Sequence, residues 1–401
     1  MRLPPQPGFE ERLAMLRQGH ETLLQRINEP LHCANGPGNG IVQRWRHPVV
    51  TRDHVPLDWR YDLNRGRNPF LLERIGVNST FNAGAMAWQG KYLLVLRIEG
   101  NDRKSYFGIA ESASGVDGFR FWPRPIDLAK AAEPETNVYD MRLTPHEDGF
   151  VYGLFCAERA DPGHSGDPTA ALAACGIARS SDLIHWERLP DLVTRSPQQR
   201  NVVLHPEFVQ GRYALYTRPQ DGFADVGGAA GICWGLTASM EKAEVSEEIV
   251  VDRRLYHTVS EAKNGQGPPP LKTDRGWLHL AHGARHTAAG LRYVLYLFLT
   301  ELERPWKVLR KPAGFLLAPR GGERVGDVSN VVFSNGWIRN EQDEVFIYYA
   351  SSDTRMHVAT TSVERLLDYC LNSPEDGLYS ASSVKAVNDL ITANREENPA
   401  D

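Results

Sequence analysis

Residues 210–219 read Q-G-R-Y-A-L-Y-T-R-P. A glycine turn leads into a run of aromatic and aliphatic side chains, the composition of a buried strand. The run nevertheless ends on Arg218, where a core would continue. The same design recurs as Q-G-K-Y-L-L-V-L-R at 89–97, E-D-G-F-V-Y-G-L-F-C-A-E-R at 147–159, D-R-G-W-L-H-L-A-H-G at 274–283 and D-E-V-F-I-Y-Y-A-S-S-D-T-R at 343–355. With Tyr92, Tyr152, Tyr213, Trp277 and Tyr348 aligned, the residues five places on are Arg97, Ala157, Arg218, His282 and Asp353, and the units recur at roughly 60–70 residues. All but Ala157 are polar.

Each unit is followed by further short strand signals, such as G-I-A-R-S-S-D-L-I-H-W at 176–186. The chain therefore reads as all-β, with an antiparallel repeat. Radial repetition of four-stranded blades makes a β-propeller. If the repeat strands are its inner strands, their polar tips meet in one central pocket and the aromatic residues behind them fill the blades. Helical periodicity is confined to the ends: Leu13, Leu16, Leu23, Leu24 and Ile27 within 9–28, then 363–371 and 384–393. The expected organisation is an N-terminal helical arm and extension over 1–50, a propeller over 51–360 and a C-terminal helical segment over 361–401. Such arms commonly join copies of a chain, so a homo-oligomer is expected.

Composition excludes several classes of function. Apolar residues at 41%, charged residues at 24% and a net charge of -5 describe an ordinary globular protein with no electrostatic reason to bind nucleic acid. Cys33, Cys156, Cys175, Cys233 and Cys370 show no C-x-x-C spacing, and an odd count fits buried thiols in a reducing compartment. The opening M-R-L-P-P-Q-P-G-F-E-E-R lacks the apolar core of a signal peptide, and no stretch approaches the ~18 apolar residues of a membrane span. A cytoplasmic location without a membrane partner is expected.

The chemistry is carried by cations and acids near the repeat tips. Arg97, Arg103, Arg200, Arg218 and Lys263 stand beside turns or strand ends. Arg200 and Arg218 flank one hairpin, and Lys263 precedes N-G-Q-G-P-P-P, a loop able to present backbone N–H groups. Two guanidinium forks and an ammonium suit a phosphate dianion. Any one arginine taken alone is more often a surface charge with a local carboxylate, and it is position in the repeat that favours the phosphate reading. Asp140 lies in N-V-Y-D-M-R-L-T and Asp353 in S-S-D-T-R-M-H. Glycosidic cleavage needs a carboxylic acid, and inverting attack by water needs a second carboxylate as base, a requirement that a phosphate nucleophile removes. Asp140 read alone is also a turn or capping residue. His279, His282 and His286 have metal-like spacing, but the first two point to opposite faces of a strand, so no metal site is expected. Gly163-His164-Ser165-Gly166 lacks the spacing of a nucleophile elbow, and no P-loop or dinucleotide fingerprint is present. Trp88, Tyr106 and Trp337, near loops, are the candidate sugar-stacking aromatics.

The blocks F-N-A-G-A-M, R-I-E-G-N-D-R-K-S, N-V-Y-D-M-R-L-T, R-N-V-V-L-H-P-E, A-H-G-A-R-H-T-A-A-G-L-R-Y-V-L-Y, R-V-G-D-V-S-N-V-V-F-S-N-G-W and Y-Y-A-S-S-D-T-R-M-H-V-A-T resemble the β-mannoside phosphorylases of glycoside hydrolase family 130. The resemblance implies a five-bladed β-propeller with N-terminal and C-terminal helical appendages. Within the family it points to inverting phosphorolysis of 4-O-β-D-mannosyl-D-glucose to α-mannose 1-phosphate and glucose, with inorganic phosphate as a substrate and no metal or organic cofactor. It implies Asp140 as catalytic acid, acting through the mannosyl 3-hydroxyl. Arg200, Arg218, Lys263, His282 and Tyr293 are then phosphate-binding, and Arg97, Arg103 and Asp353 sugar-binding. Many relatives read Asp-Pro-Arg where this chain has Asp140-Met141-Arg142, as expected of the mannosylglucose subgroup. The alternatives are another β-mannoside (a β-1,4-mannooligosaccharide or mannosyl-N-acetylglucosamine), a hydrolase of the same family, which would lack the cation set, and a glycan-binding propeller without catalysis.

Overall fold

The computed structural model describes residues 7–31, 39–128, 134–222 and 231–397, and five antiparallel sheets stand in it as the blades of a propeller. Blade I comprises Val77–Trp88, Lys91–Gly100, Ser105–Ser112 and Arg120–Phe121; blade II, Asn137–Pro145, Val151–Ala160, Ala171–Ser180 and Glu187–Leu189. Blade III comprises Val203–Leu204, Tyr213–Thr217, Ile232–Thr237 and Ile249–Asp252. Blade IV comprises Lys263–Gln266, Gly276–Thr287, Gly290–Thr300 and Val308–Arg310, with Leu271–Thr273 as an extra strand on Gly276–Thr287. Blade V takes Val332–Arg339, Glu344–Ser351 and Arg355–Ser362 from the end of the chain and its outer strand, Gln43–Arg44, from the beginning. Blade V also reaches blade I, where Tyr348 Oη donates to the Gly115 carbonyl at 2.8 Å.

The recurring aromatic strand is the second strand of each blade, not the inner one as the repeat suggested. The first strands of blades V, I, II and III are innermost and pack on one another across blade boundaries. They are short in blades III and IV and interrupted in the others, so they carry little aromatic signal. The tips still reach the axis because they pair with these first strands: Arg97 lies opposite Phe81, and His282 opposite Gly265.

Apolar side chains fill five layers between successive blades. Leu93, Val95 and Phe107 of blade I meet Met141, Leu143 and Phe155 of blade II. Leu154 and Ile177 then meet Leu204 and Leu215, while Tyr216 and Trp234 meet Tyr296 and Phe298. Leu278 and Leu295 meet Val332 and Ile347, and Tyr348 and Met356 meet Phe81 and Leu94 to close the ring. Each fully buried large side chain contributes roughly 1.5–3 kcal/mol, so these layers hold the ring together and leave its axis to polar groups.

The terminal helices differ from one another. Phe9–Leu24 buries Phe9 and Leu13 against Tyr61 and Leu71 of its own domain. Val363–Asn372 sinks Val363, Leu366 and Cys370 into the layer between blades IV and V, and is capped where Ser362 Oγ accepts from Arg365 N at 3.2 Å. Ser380–Glu397 buries none of its residues. Cys156, Cys175, Cys233 and Cys370 are buried free thiols; Cys33 lies outside the described residues. Among the described residues no helix is long and apolar enough to cross a membrane.

Candidate active site

Three inner strands carry a β-bulge at the same level. Register slips between Phe81 and Gly84, between Tyr139 and Arg142, and between Phe333 and Gly336. An extra residue at each slip re-aims a side chain out of the ladder. Asn82 and Asp140 occupy two of these slips with φ of +47° and +60°, Asn201 takes the corresponding place before the first strand of blade III at +55°, and Asp353 turns the tip of blade V at +54°. Asn and Asp tolerate this left-handed region best, which is why polar residues stand at these corners.

A cavity of about 550 Å³ is lined from all five blades. It holds Arg97, Asp140, Arg200, Arg218, Lys263, His282, Tyr293 and Asp353, eight of the nine residues singled out in the sequence. Arg103 is the exception: it is exposed on the turn between the second and third strands of blade I, where its carbonyl accepts from Asn137 Nδ2 at 3.4 Å. The structure does not bring it into the lining. A larger groove of about 660 Å³ runs along the outer strand of blade V, but its lining contains none of these residues.

One half of the cavity centres on the acid. Asn82 Nδ2 and Arg97 Nη1 both donate to Asp140 Oδ1, at 3.0 and 3.3 Å. Oδ2 makes no hydrogen bond among the described residues. Arg97 is fixed in turn by Glu99 at 2.7 Å and Ser105 Oγ at 3.0 Å. Burial would lower its pKa, but the carboxylates of Asp140, Glu99 and Asp353 outweigh burial and raise it. Burial, with Asp140 as the next cause, pushes the Asp353 carboxyl up to about 7.

The other half is cationic. Arg200 and Arg218 come together because Gln198–Gln199 pairs antiparallel with Pro219–Gln220, as the hairpin reading anticipated. Arg200 Nη2 bonds Glu158 Oε1 at 3.2 Å. Arg218 is 6% exposed, and the partner of its Nη2 among the described residues is the neutral Gln220 Oε1, at 3.2 Å. Burial lowers its pKa to about 10, which leaves it charged at neutral pH. Lys263 opens the first strand of blade IV, opposite Ala284. The N-G-Q segment after it is therefore strand rather than an N–H-presenting loop, because its backbone is committed to the ladder. His282 is fully buried, and burial reinforced by Arg218, Arg142 and Lys263 drives its pKa far down, so the ring is neutral. Both His282 ring nitrogens and Arg218 Nε are buried without a hydrogen-bond partner among the described residues. Unanswered donors beside clustered cations are costly unless an anion receives them.

Sequence reasoning missed several residues around this cavity. Asn82, Tyr139, Asn201 and Phe333 line it, while Glu158 and Arg142 stand behind it. Aligning the chain on the bulged strands, F-N-A-G, Y-D-M-R and F-S-N-G, would have found Asn82, Tyr139 and Phe333, but not Asn201. The proposed stacking aromatics do not line the cavity. Trp337 is buried with Nε1 on the Pro269 carbonyl at 2.7 Å, Tyr106 packs on Trp59, and Trp88 lies against the layer between blades I and II. They serve the blades because their strands hold them in packing layers. Likewise His279 is locked in the core by Thr300 Oγ1 at 3.0 Å and Phe298, away from His282.

Residues 47–372 match the family model described as β-1,4-mannooligosaccharide phosphorylase. The chain is 59% identical over 387 residues, 96% of its length and 98% of the relative's, to the 4-O-β-D-mannosyl-D-glucose phosphorylase of Bacteroides fragilis. It is 27% identical, over 78% of its length and 90% of the relative's, to the β-1,4-mannooligosaccharide phosphorylase of Ruminococcus albus. Among solved structures, the β-1,2-mannobiose phosphorylase of Listeria innocua superposes with a TM-score of 0.67 at 20% identity, covering 82% of this chain and 99% of that one, a likeness of fold.

Proposed function

The chain belongs to glycoside hydrolase family 130, and on that premise we propose that it phosphorolyses 4-O-β-D-mannosyl-D-glucose to α-D-mannose 1-phosphate and D-glucose. The observation that carries this reading is the division of one cavity into an acid held by Asn82 and Arg97 and a group of cations with unanswered donors at Arg218 and His282. Arg200, Arg218 and Lys263 neutralise a phosphate dianion, with bidentate forks from the arginines and a point charge from the lysine. Neutral His282 and Tyr293 supply one further donor each.

A phosphate oxygen attacks the anomeric carbon from the face opposite glucose, and the glycosidic bond breaks in the same step with inversion. Asp140 delivers the proton through the mannosyl 3-hydroxyl to the departing glucose oxygen. Because both protein donors bind Oδ1, Oδ2 is the oxygen left to carry that proton. The cations offset the cost of desolvating the phosphate dianion, whose negative charge then faces the developing oxocarbenium ion. Arg97 and Asp353 hold the mannosyl ring.

No metal or organic cofactor takes part in this scheme, and the enzyme acts in the cytoplasm. Copies of the chain assemble through the helical arms, for which Ser380–Glu397 offers an exposed stripe of Val384, Val387 and Ile391. The scheme is tested by the phosphate dependence of product formation. A hydrolase would release free mannose at the same rate without phosphate.

A further inference from the structure

Arg142 stands two residues past the acid and is 2% exposed. Its side chain reaches across the propeller. Nη1 donates to the Asp140 carbonyl at 2.9 Å, Nη2 to Asn201 Oδ1 at 2.8 Å and Nε to the Gly267 carbonyl at 3.2 Å. Its guanidinium carbon also lies 5.8 Å from the Phe333 ring centre. Blades II, III, IV and V thus meet on one side chain. Every hydrogen-bond acceptor is neutral, and among the described residues Arg142 forms no ion pair. A buried cation without a paired anion is expensive, and an apolar or amide side chain would fill the same volume more cheaply.

Its contacts lead to the phosphate half of the cavity. Asn201, which receives Nη2, directly follows Arg200. A Cβ placed on Gly265 would stand 3.3 Å from Asn201 Nδ2 and 2.5 Å from His282 Cε1, so these groups are packed one against the next. Its other fork arm holds the carbonyl of Asp140, the residue whose φ of +60° aims the acid.

Resting on the phosphate-site reading above, we propose that Arg142 is a positioning residue for the reaction: it fixes the main chain of the acid and sets a permanent positive charge behind the phosphate without touching it. The site's field therefore includes a cation the ligand never contacts. Burial lowers the Arg142 pKa to about 10, so the charge is present throughout the neutral range.

The test compares Arg142→Gln, Arg142→Lys and Arg218→Gln in steady-state phosphorolysis, with phosphate and disaccharide varied separately. Arg142→Gln is expected to raise the phosphate KM ~10-fold or more, the effect of one charge several ångströms away at an effective dielectric near 20. It also lowers kcat ~10-fold and leaves the disaccharide KM within ~2-fold. Arg142→Lys, which keeps the charge but not the fork, returns the phosphate KM to within ~3-fold of wild type while kcat stays low. A folded Arg142→Gln enzyme with an unchanged phosphate KM overturns the proposal. So does an Arg142→Lys enzyme whose phosphate KM rises ~10-fold, and this second criterion stands even if the glutamine variant does not fold. Arg218→Gln separates the two readings: if it too leaves the phosphate KM unchanged, the phosphate site itself is misassigned. If it raises the phosphate KM and Arg142→Gln does not, only the role of Arg142 fails.

Discussion

Asn82 Nδ2 lies 3.0 Å from Asp140 Oδ1, joining the bulge of blade I to the bulge of blade II. Two residues in the same unusual backbone conformation, on neighbouring blades, therefore fix which oxygen of the acid is occupied and which is free. Asn82→Ala is expected to lower kcat ~10–100-fold through misplacement of the acid while the phosphate KM changes less than ~3-fold; Asp140→Asn should cost ~1,000-fold or more in kcat. Separate saturation curves for the two substrates read both effects. A rise in phosphate KM for Asn82→Ala with kcat intact would remove Asn82 from the acid.

Arg218→Gln should remove the charge-assisted hydrogen bonds to phosphate proposed for Arg218. Such bonds are each worth roughly 1.5–3 kcal/mol, so the phosphate KM should rise ~10–150-fold. Phosphate should also raise the melting temperature of the wild type in a concentration-dependent way, and much less that of the variant. Equal phosphate-induced shifts would place the anion elsewhere.

Gly265 is set against the ring of His282. An added Cβ would lie 2.5 Å from Cε1 and 2.9 Å from Nε2, with Asn201 Nδ2 at 3.3 Å. Gly265→Ala must displace the imidazole, so a raised phosphate KM and a loss of roughly 1–3 kcal/mol of stability are expected from overpacking. Unchanged phosphate kinetics would mean that the imidazole is not a ligand.

Asp353 gives stability a pH dependence. Its carboxyl titrates at about 7 in the folded chain, above its value when unfolded, so between pH ~4 and ~7 the folded state holds the extra proton. Stability in phosphate-free buffer should therefore fall as pH rises through that window, by on the order of a few kcal/mol, and level off above it. Asp353→Asn should flatten this slope and melt higher than wild type at pH 8. Parallel melting curves for the two proteins from pH 5 to 8 would contradict the assignment.

The exposed stripe of Val384, Val387 and Ile391 on Ser380–Glu397 should hold copies together. Light scattering of the wild type should give a multiple of 44.9 kDa, and Val387→Asp a smaller mass with kcat largely kept. A monomeric wild type would leave this helix without that role.

The all-β repeat was legible because Tyr92, Tyr152, Tyr213, Trp277 and Tyr348, large side chains in or against the packing layers, recur at a nearly regular interval. Which strand faces the axis was not. The inner strands are short or bulged, and bulges are set by backbone register rather than by hydrophobic pattern. The same cause hid Asn82 and Asn201, whose polarity reads as a turn until neighbouring blades place them beside Asp140 and Arg142. Arg142 was invisible as a functional group because nothing local to M-R-L-T distinguishes a buried arginine from a surface one. The chain's opening strand, Gln43–Arg44, was also unreadable, since its partner lies more than three hundred residues away in blade V.

Phosphate, not water, cleaves the mannosidic bond. The purified enzyme incubated with 4-O-β-D-mannosyl-D-glucose, with and without inorganic phosphate, and followed by phosphorus and proton NMR, tests it most directly. α-Mannose 1-phosphate and glucose are expected in equal amounts, only when phosphate is present. Free mannose formed at the same rate in its absence would make the chain a hydrolase and remove the phosphate-binding roles of Arg200, Arg218 and Lys263.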